Sequence, residues 1–304
     1  MKIIVTGASG LVGSSLVPSL LGRGHEVAQL VRRKSAGTVA GVREVEWQPA
    51  RGEIDAGALE GHDAAVHLAG ENLAGGRWTD EKKRRIRDSR VEGTRLLAAT
   101  LAKLNARPRV LVSASAIGYY GDRGDEVLTE ESAAGTGFLP EVCREWEEAA
   151  TPAREAGIRT TFLRIGLILS GDGGALAKML PPFKLGVGGK LGSGRQYYSW
   201  IAIDDVIEII HFALANENLS GAINVVAPEA VTNAEFTKSL GRVLSRPTIF
   251  PAPAFALRLA LGETADALLL ASTRVVPQRL QEASYPFKYP TLDAALRHIL
   301  NAAR

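Results

Sequence analysis

Gly7-Ala8-Ser9-Gly10-Leu11-Val12-Gly13 follows directly on Lys2-Ile3-Ile4-Val5-Thr6, and this junction decides the fold. The first run is apolar and β-branched, as a strand buried on both faces is. Leu11 to Gly22 has the length and apolar spacing of a helix. The three glycines each have a use: the first permits a tight turn, the second lets backbone approach a pyrophosphate with no Cβ between, and the third lets helix and strand pack closely. The free N–H groups and positive dipole end of a helix opening at Leu11 then face the phosphates. Gly7, Ser9, Gly10, Leu11, Val12 and Gly13 are therefore candidate dinucleotide-binding residues. The alternative is a plain strand-to-helix turn, but the strand-first position with a βαβ rhythm behind it favours the nucleotide.

The next strand, Glu26 to Val31, ends at Arg32-Arg33-Lys34, where an acidic residue would bind the ribose 2′-hydroxyl of NAD. Guanidinium groups suit a 2′-phosphate instead, so Arg32 and Arg33 point to NADP(H); a solvated basic turn is the alternative.

Outward from this unit, short apolar runs alternate with helix-length segments. Ala64 to Leu68 reads as the third strand, Asp80 to about Leu104 as a polar-faced helix and Arg109 to Ser113 as the fourth strand. A helix from about Gly137 to Glu155 leads into a strand from Arg159 to Gly166. The pattern predicts an α/β fold, a Rossmann-type doubly wound parallel sheet with a smaller mixed C-terminal lobe. The Rossmann domain is expected over residues 1–166, with a later strand near residues 223–226 returning to it. Residues 167–304 form the smaller lobe, in which Pro181-Pro182 and the glycines from Gly186 to Gly194 read as loop and short strand.

Composition narrows the function classes. Of 304 residues, 46% are hydrophobic and 23% charged, as in an ordinary globular protein. A net charge of +3 gives little ground for a nucleic-acid partner. No membrane partner is expected, since the most apolar stretch, Ile201 to Ala215, carries Asp204, Asp205, Glu208 and His211. Lys2 to Thr6 runs into Gly7 without a long apolar segment, so a cytoplasmic location is the expectation. The single cysteine, Cys143, excludes an intrachain disulfide and a zinc cluster. The basic run from Glu81 to Arg90 pairs Asp80 with Arg84 and Glu81 with Arg85 on one helix face, which explains most of it as a solvated surface. His67 reads as a satisfied interior histidine.

The glycine spacing, His67-Leu68-Ala69-Gly70 and Ser113-Ala114-Ser115-Ala116 together resemble the short-chain dehydrogenase/reductase superfamily in its extended branch. Gly70-Glu71-Asn72, Arg77-Trp78, Ser89-Arg90, Cys143-Arg144-Glu145-Trp146-Glu147, Met179 to Phe183, Trp200 to Asp205 and Thr232 to Phe236 narrow the resemblance to the atypical "epimerase family protein" group of sugar-nucleotide epimerase type. The tail, residues 251–300, is similar to that group's small C-terminal domain of unknown function. The resemblance implies that Leu68, Ala69, Gly70, Arg90 and Ile168 also lie at the cofactor, and that Ser115 orients a substrate.

That superfamily normally places Tyr-x-x-x-Lys on the helix after the fourth strand, the lysine lowering the tyrosine pKa. No tyrosine here has a lysine four residues on; Cys143 and Glu147 stand at the two positions. Glu147 has the wrong charge to help a neighbouring acid ionise. Cys143 reads as a small core residue. Ser115, Tyr119 and Tyr120 are thus the candidate catalytic groups. Where extended sugar-nucleotide enzymes carry an arginine after the glutamine of a Gly-x-Gly-x-Gln turn, Tyr197-Tyr198-Ser199-Trp200 follows Gln196 instead. Two functions stay open. One is an NADP(H)-dependent oxidoreductase or epimerase acting on a small polar or sugar-like molecule in a cleft between the lobes. The other is a non-catalytic NADP(H)-binding redox sensor acting through a partner. A homodimer is left open as the assembly.

Overall fold

A computed structural model describes residues 1–34 and 40–302. Eight strands form one sheet: β1 (Lys2–Thr6), β2 (Glu26–Val31), β3 (Val42–Gln48), β4 (Glu53–Ile54), β5 (Ala64–His67), β6 (Val110–Ala116), β7 (Arg159–Ile165) and β8 (Gly221–Val225). Their order is β8-β7-β6-β5-β1-β2-β3-β4, parallel throughout except for the β3–β4 pair. The order reverses between β1 and β5. In such sheets that point, at the carboxyl ends of the strands, is where a crevice opens for a ligand.

Alternation along β1 builds both faces. Ile3 and Val5 join a core with Leu16, Val17 and Leu20 of α1 (Leu11–Gly22) and Val206, Ile209 and Ile210 of the helix Ile203–Ala215. Ile4 faces the other way, onto Leu97 and Leu101 of α2 (Asp80–Lys103). The first turn of α2 is set by Thr79, whose side chain accepts from Lys82 N, with Asp80 and Glu81 at the positive dipole end. A third core gathers Leu176, Leu180 and Phe183 of α4 (Gly174–Lys184) with Trp200, Phe236 and Leu296 from the strand and helices around it. Among the described residues no helix is long and apolar enough to cross a membrane.

Three expectations change. Strand β3, Val-Arg-Glu-Val-Glu-Trp-Gln, adds to the expected strands; it lies near the sheet edge, burying Val45 and Trp47 and leaving Arg43, Glu44 and Glu46 at least partly in solvent. The helix read as Gly137 to Glu155 is two, α3 (Phe138–Glu148) and Thr151–Glu155, because Pro152 has no N–H to continue the ladder. Pro181 and Pro182, read as loop, lie inside α4, in its last turns and exposed, while Leu176, Leu180 and Phe183 anchor its other face.

Candidate functional site

The glycine turn sits at the reversal of strand order. Gly7 has φ +68°, and a Cβ there would lie 2.6 Å from the Leu68 carbonyl carbon. At Gly13 a Cβ would come within 2.2 Å of the Gly7 oxygen. Gly10 differs: a Cβ would meet only the Gly7 oxygen, at 3.3 Å, because the space before the first turn of α1 is open. Gly10 is also the N-cap, with no side chain capping the helix N–H groups, and Ser9 beside it is exposed. Val12 packs against the sheet, and Leu11 reaches across to Gly173 and Gly174 at the start of α4.

Thr6 ties this turn to the loop after β5. Its Oγ1 accepts from Leu68 N at 3.1 Å and Ala69 N at 3.2 Å, and lies 2.7 Å from His67 Nδ1. With both lone pairs engaged, the threonine hydrogen points at Nδ1, which puts the imidazole proton on Nε2. Burial pushes the His67 pKa down to about 4, so the ring is neutral at pH 7. The expected interior histidine is found, but not a satisfied one: Nε2 has no hydrogen-bond partner. Arg32 and Arg33 lie exposed just past β2, and Gln48 Nε2 donates to the Arg32 carbonyl at 2.8 Å. Ile168 is half-buried in a short strand that pairs with Ile201, beyond the carboxyl end of β7.

At the carboxyl end of β6, Ser115 Oγ donates to Glu147 Oε1 at 2.7 Å. Arg164, near the carboxyl end of β7 and in register with Ser115, grips the same carboxylate with Nε on Oε1 and Nη2 on Oε2, both at 2.9 Å. Burial works to lower the arginine pKa, but the bonds to Glu147 outweigh it and hold the group above its usual range. Neither Glu147 nor Arg164 was singled out as functional from the sequence. An arginine inside Thr-Phe-Leu-Arg-Ile, an otherwise apolar strand, is the signal that was there to be read, since a buried cation needs a counter-ion. Cys143 is the core residue expected; burial first, then Glu147, raises its thiol to about 12.

Tyr119 and Tyr120 part company. Tyr120 is fully buried, donating to Asn224 Oδ1 at 2.7 Å and accepting from Arg164 Nη1 at 3.0 Å. Burial pushes its pKa to about 12. A phenol locked under the sheet edge cannot meet a substrate, so the catalytic role expected of Tyr120 is withdrawn. Tyr119 stays half-exposed, with the Arg164 guanidinium 3.5 Å over its ring.

Arg90 lies at the loop after β5. Nη1 donates to the carbonyls of Glu71 and Ile86, both at 3.1 Å, and the guanidinium stacks on Trp146 at 5.1 Å. The loop continues through residues 72–78 and is tied to the C-terminal lobe. Lys178 of α4 donates to the Ala74 carbonyl at 2.6 Å, while Thr264 Oγ1 accepts from Trp78 N and donates to the Gly76 carbonyl, both at 3.2 Å. Among the described residues no cluster of side chains could hold a metal ion.

A glycine cradle at the reversal point, backed by an ordered loop after β5 and a polar group at the end of β6, defines a dinucleotide-binding Rossmann protein. Residues 3–226 match the NAD dependent epimerase/dehydratase family, and the chain belongs to it. Residues 252–299 match the Domain of unknown function (DUF1731). The Epimerase family protein of Mycobacterium tuberculosis is 44% identical over 294 residues, covering 97% of this chain and 96% of its own. Human Epimerase family protein SDR39U1 is 35% identical over 303 residues, covering 99% and 100%. The crystal structure of human SDR39U1 (isoform2) with NADPH superposes with a TM-score of 0.89 at 33% identity, covering 99% of each chain.

Proposed function

We propose that this protein is an NADP(H)-dependent oxidoreductase or epimerase whose proton transfer runs through Ser115 and Glu147 in place of a Tyr-Lys pair. The observation that carries the proposal is the 2.7 Å bond from Ser115 to a carboxylate clamped at both oxygens by Arg164. The residues present fit the cofactor. The open space at Gly10 suits a pyrophosphate, the exposed Arg32 and Arg33 suit a 2′-phosphate, and human SDR39U1, similar over its whole length, was solved with NADPH. When bound, NADP(H) supplies the hydride.

The chain's own part is the proton. Ser115 directs its hydrogen at Glu147, which leaves its oxygen lone pairs free to accept from a substrate hydroxyl. In oxidation the substrate proton passes to Ser115 Oγ as the serine proton passes to Glu147 Oε1; in reduction both transfers reverse. Arg164 holds the carboxylate against rotation, so the relay is preorganised. The alternative, a sensor that binds NADP(H) without turnover, draws on the two nearest conventional acids, Cys143 and Tyr120, each raised by burial to about 12. A screen of carbonyl compounds with NADPH oxidation as readout separates the two. Turnover that is lost in Ser115→Ala supports the enzyme, and tight NADPH binding without any turnover supports the sensor.

A further inference from the structure

We infer that the face built by residues 184–191 and 246–259 rests on a bilayer of anionic phospholipid. The inference is independent of the proton relay. Six of the eight large apolar side chains that stand exposed among the described residues fall in these two stretches: Leu185, Val187, Ile249, Phe250, Phe255 and Leu259, each more than half in solvent. The backbone joins them into one surface. Phe250 N donates to the Gly188 carbonyl at 3.4 Å, Ala252 N to the Lys190 carbonyl at 2.9 Å and Gly192 N to the Ala252 carbonyl at 2.8 Å. The helix Ala254–Leu261 continues the second stretch and buries no residue. Its Phe255 and Leu259 stand about one turn apart, on the same side. Apolar side chains gathered in this way mark a docking face.

Charge names the partner. Residues 173–203 and 236–262 hold eight lysines and arginines and no aspartate or glutamate, whereas the whole chain is only +3, so the rest of it is net negative. Two of the eight, Arg242 and Arg258, are met by Asp293 and Asp266 from outside these stretches. Lys184, Lys190 and Arg246 are exposed and pair with no carboxylate among the described residues. Lys184 and Arg246 line one cavity of about 440 Å³, whose walls include Leu180, Val243, Leu244 and Leu300 and no carboxylate. That is a place for a lipid phosphate. Lys184 is followed directly by Leu185, and Ile249 lies three residues beyond Arg246, so cations and apolar side chains alternate over the face. Each cation near an anionic leaflet strengthens binding about 5-fold, and a bilayer takes apolar side chains at its headgroup boundary without a shaped partner. A second copy of the chain fits poorly, since a two-fold contact would lay the same unpaired cations against one another. The expectation of no membrane partner rested on the lack of a spanning helix, and a face that lies on a bilayer needs none.

The test is sedimentation of the intact protein with vesicles of phosphatidylcholine alone or with phosphatidylglycerol at about 7:3. The wild type should bind the anionic vesicles, lose them as salt is added, and stay in solution with phosphatidylcholine alone. Lys184→Glu with Arg246→Glu should weaken binding at least ~10-fold, and so should Phe250→Ser with Phe255→Ser. Arg51→Glu with Arg154→Glu makes the same change of net charge at exposed sites elsewhere and should bind within about 2-fold of wild type. All three double variants should hold NADPH as the wild type does, and circular dichroism checks that they fold. No binding to anionic vesicles, or equal binding to phosphatidylcholine alone, overturns the assignment and leaves the face to an acidic protein. A loss in the Arg51 and Arg154 variant as large as in the Lys184 and Arg246 variant overturns it too, because net charge alone would then explain the binding. So does self-association of the wild type that Phe250→Ser with Phe255→Ser abolishes, which would give the face to a second copy.

Discussion

Glu147 and Arg164 face each other across 17 residues of sequence in a two-point contact, Nε to Oε1 and Nη2 to Oε2, and only 5% of the arginine side chain and 13% of the glutamate side chain reach solvent. Removing one partner strands a charge in a dry place. Arg164→Met is expected to cost about 3–5 kcal/mol in urea unfolding, and the double substitution Glu147→Leu with Arg164→Met to recover most of it. Additive losses in the double variant would show that the two groups are held independently.

Ser115→Ala and Tyr120→Phe should fail in different ways. The first should lower kcat on the order of 10²-fold with the fold and NADPH affinity intact. The second leaves Asn224 Oδ1 and Arg164 Nη1 each short of a partner, so it should cost about 1–3 kcal/mol of stability and leave kcat per folded molecule near wild type. A kcat loss in Tyr120→Phe at unchanged stability would restore the phenol as the proton donor.

NADPH should bind at least ~10-fold more tightly than NADH, the worth of one or two charge-assisted contacts to the 2′-phosphate. Fluorescence titration of both nucleotides measures this. Arg32→Ala combined with Arg33→Ala should bring the two affinities together, and a preference that persists would move the 2′-phosphate elsewhere.

The glycines should separate binding from folding. Gly10→Val fills the open space before α1 and should abolish NADPH binding in a folded protein, whereas Gly13→Ala, whose Cβ would stand 2.2 Å from the Gly7 oxygen, should unfold the turn itself. Circular dichroism beside a binding titration checks both.

His67 makes stability depend on pH. Its pKa in the folded chain is about 4, below the 6.5 of a free imidazole, so between those values the unfolded chain binds more protons. Its contribution is present above pH 6.5 and is lost as pH falls toward 4, by roughly 3 kcal/mol at most. His211, also lowered to about 4 by burial, adds in the same direction. Unfolding free energies at pH 7 and pH 4.5 should differ less in His67→Gln than in the wild type.

The sheet and the nucleotide turn were legible because their signals are local: a β-branched run, glycines at fixed offsets, a helix start. Strand β3 was not, since a charged strand near a sheet edge looks like a loop. The site was half legible. Ser115 stands at the end of β6 as expected, but its partner Glu147 comes from α3 and the clamp from β7, and pairing of that range leaves no local pattern. Tyr119 and Tyr120 looked equivalent in sequence; their 3-10 turn, residues Ile117–Tyr120, turns one ring inward and leaves the other half-exposed.

Lys178 and Thr264 hold the loop of residues 72–78 from two separate stretches of the C-terminal lobe, one on α4 and one in the tail. That loop therefore cannot shift without breaking hydrogen bonds to both stretches at once. The tail thus sets how firmly the segment after β5 is held: Thr264→Val should quicken amide exchange across residues 74–78 and leave the exchange of the central strands unchanged.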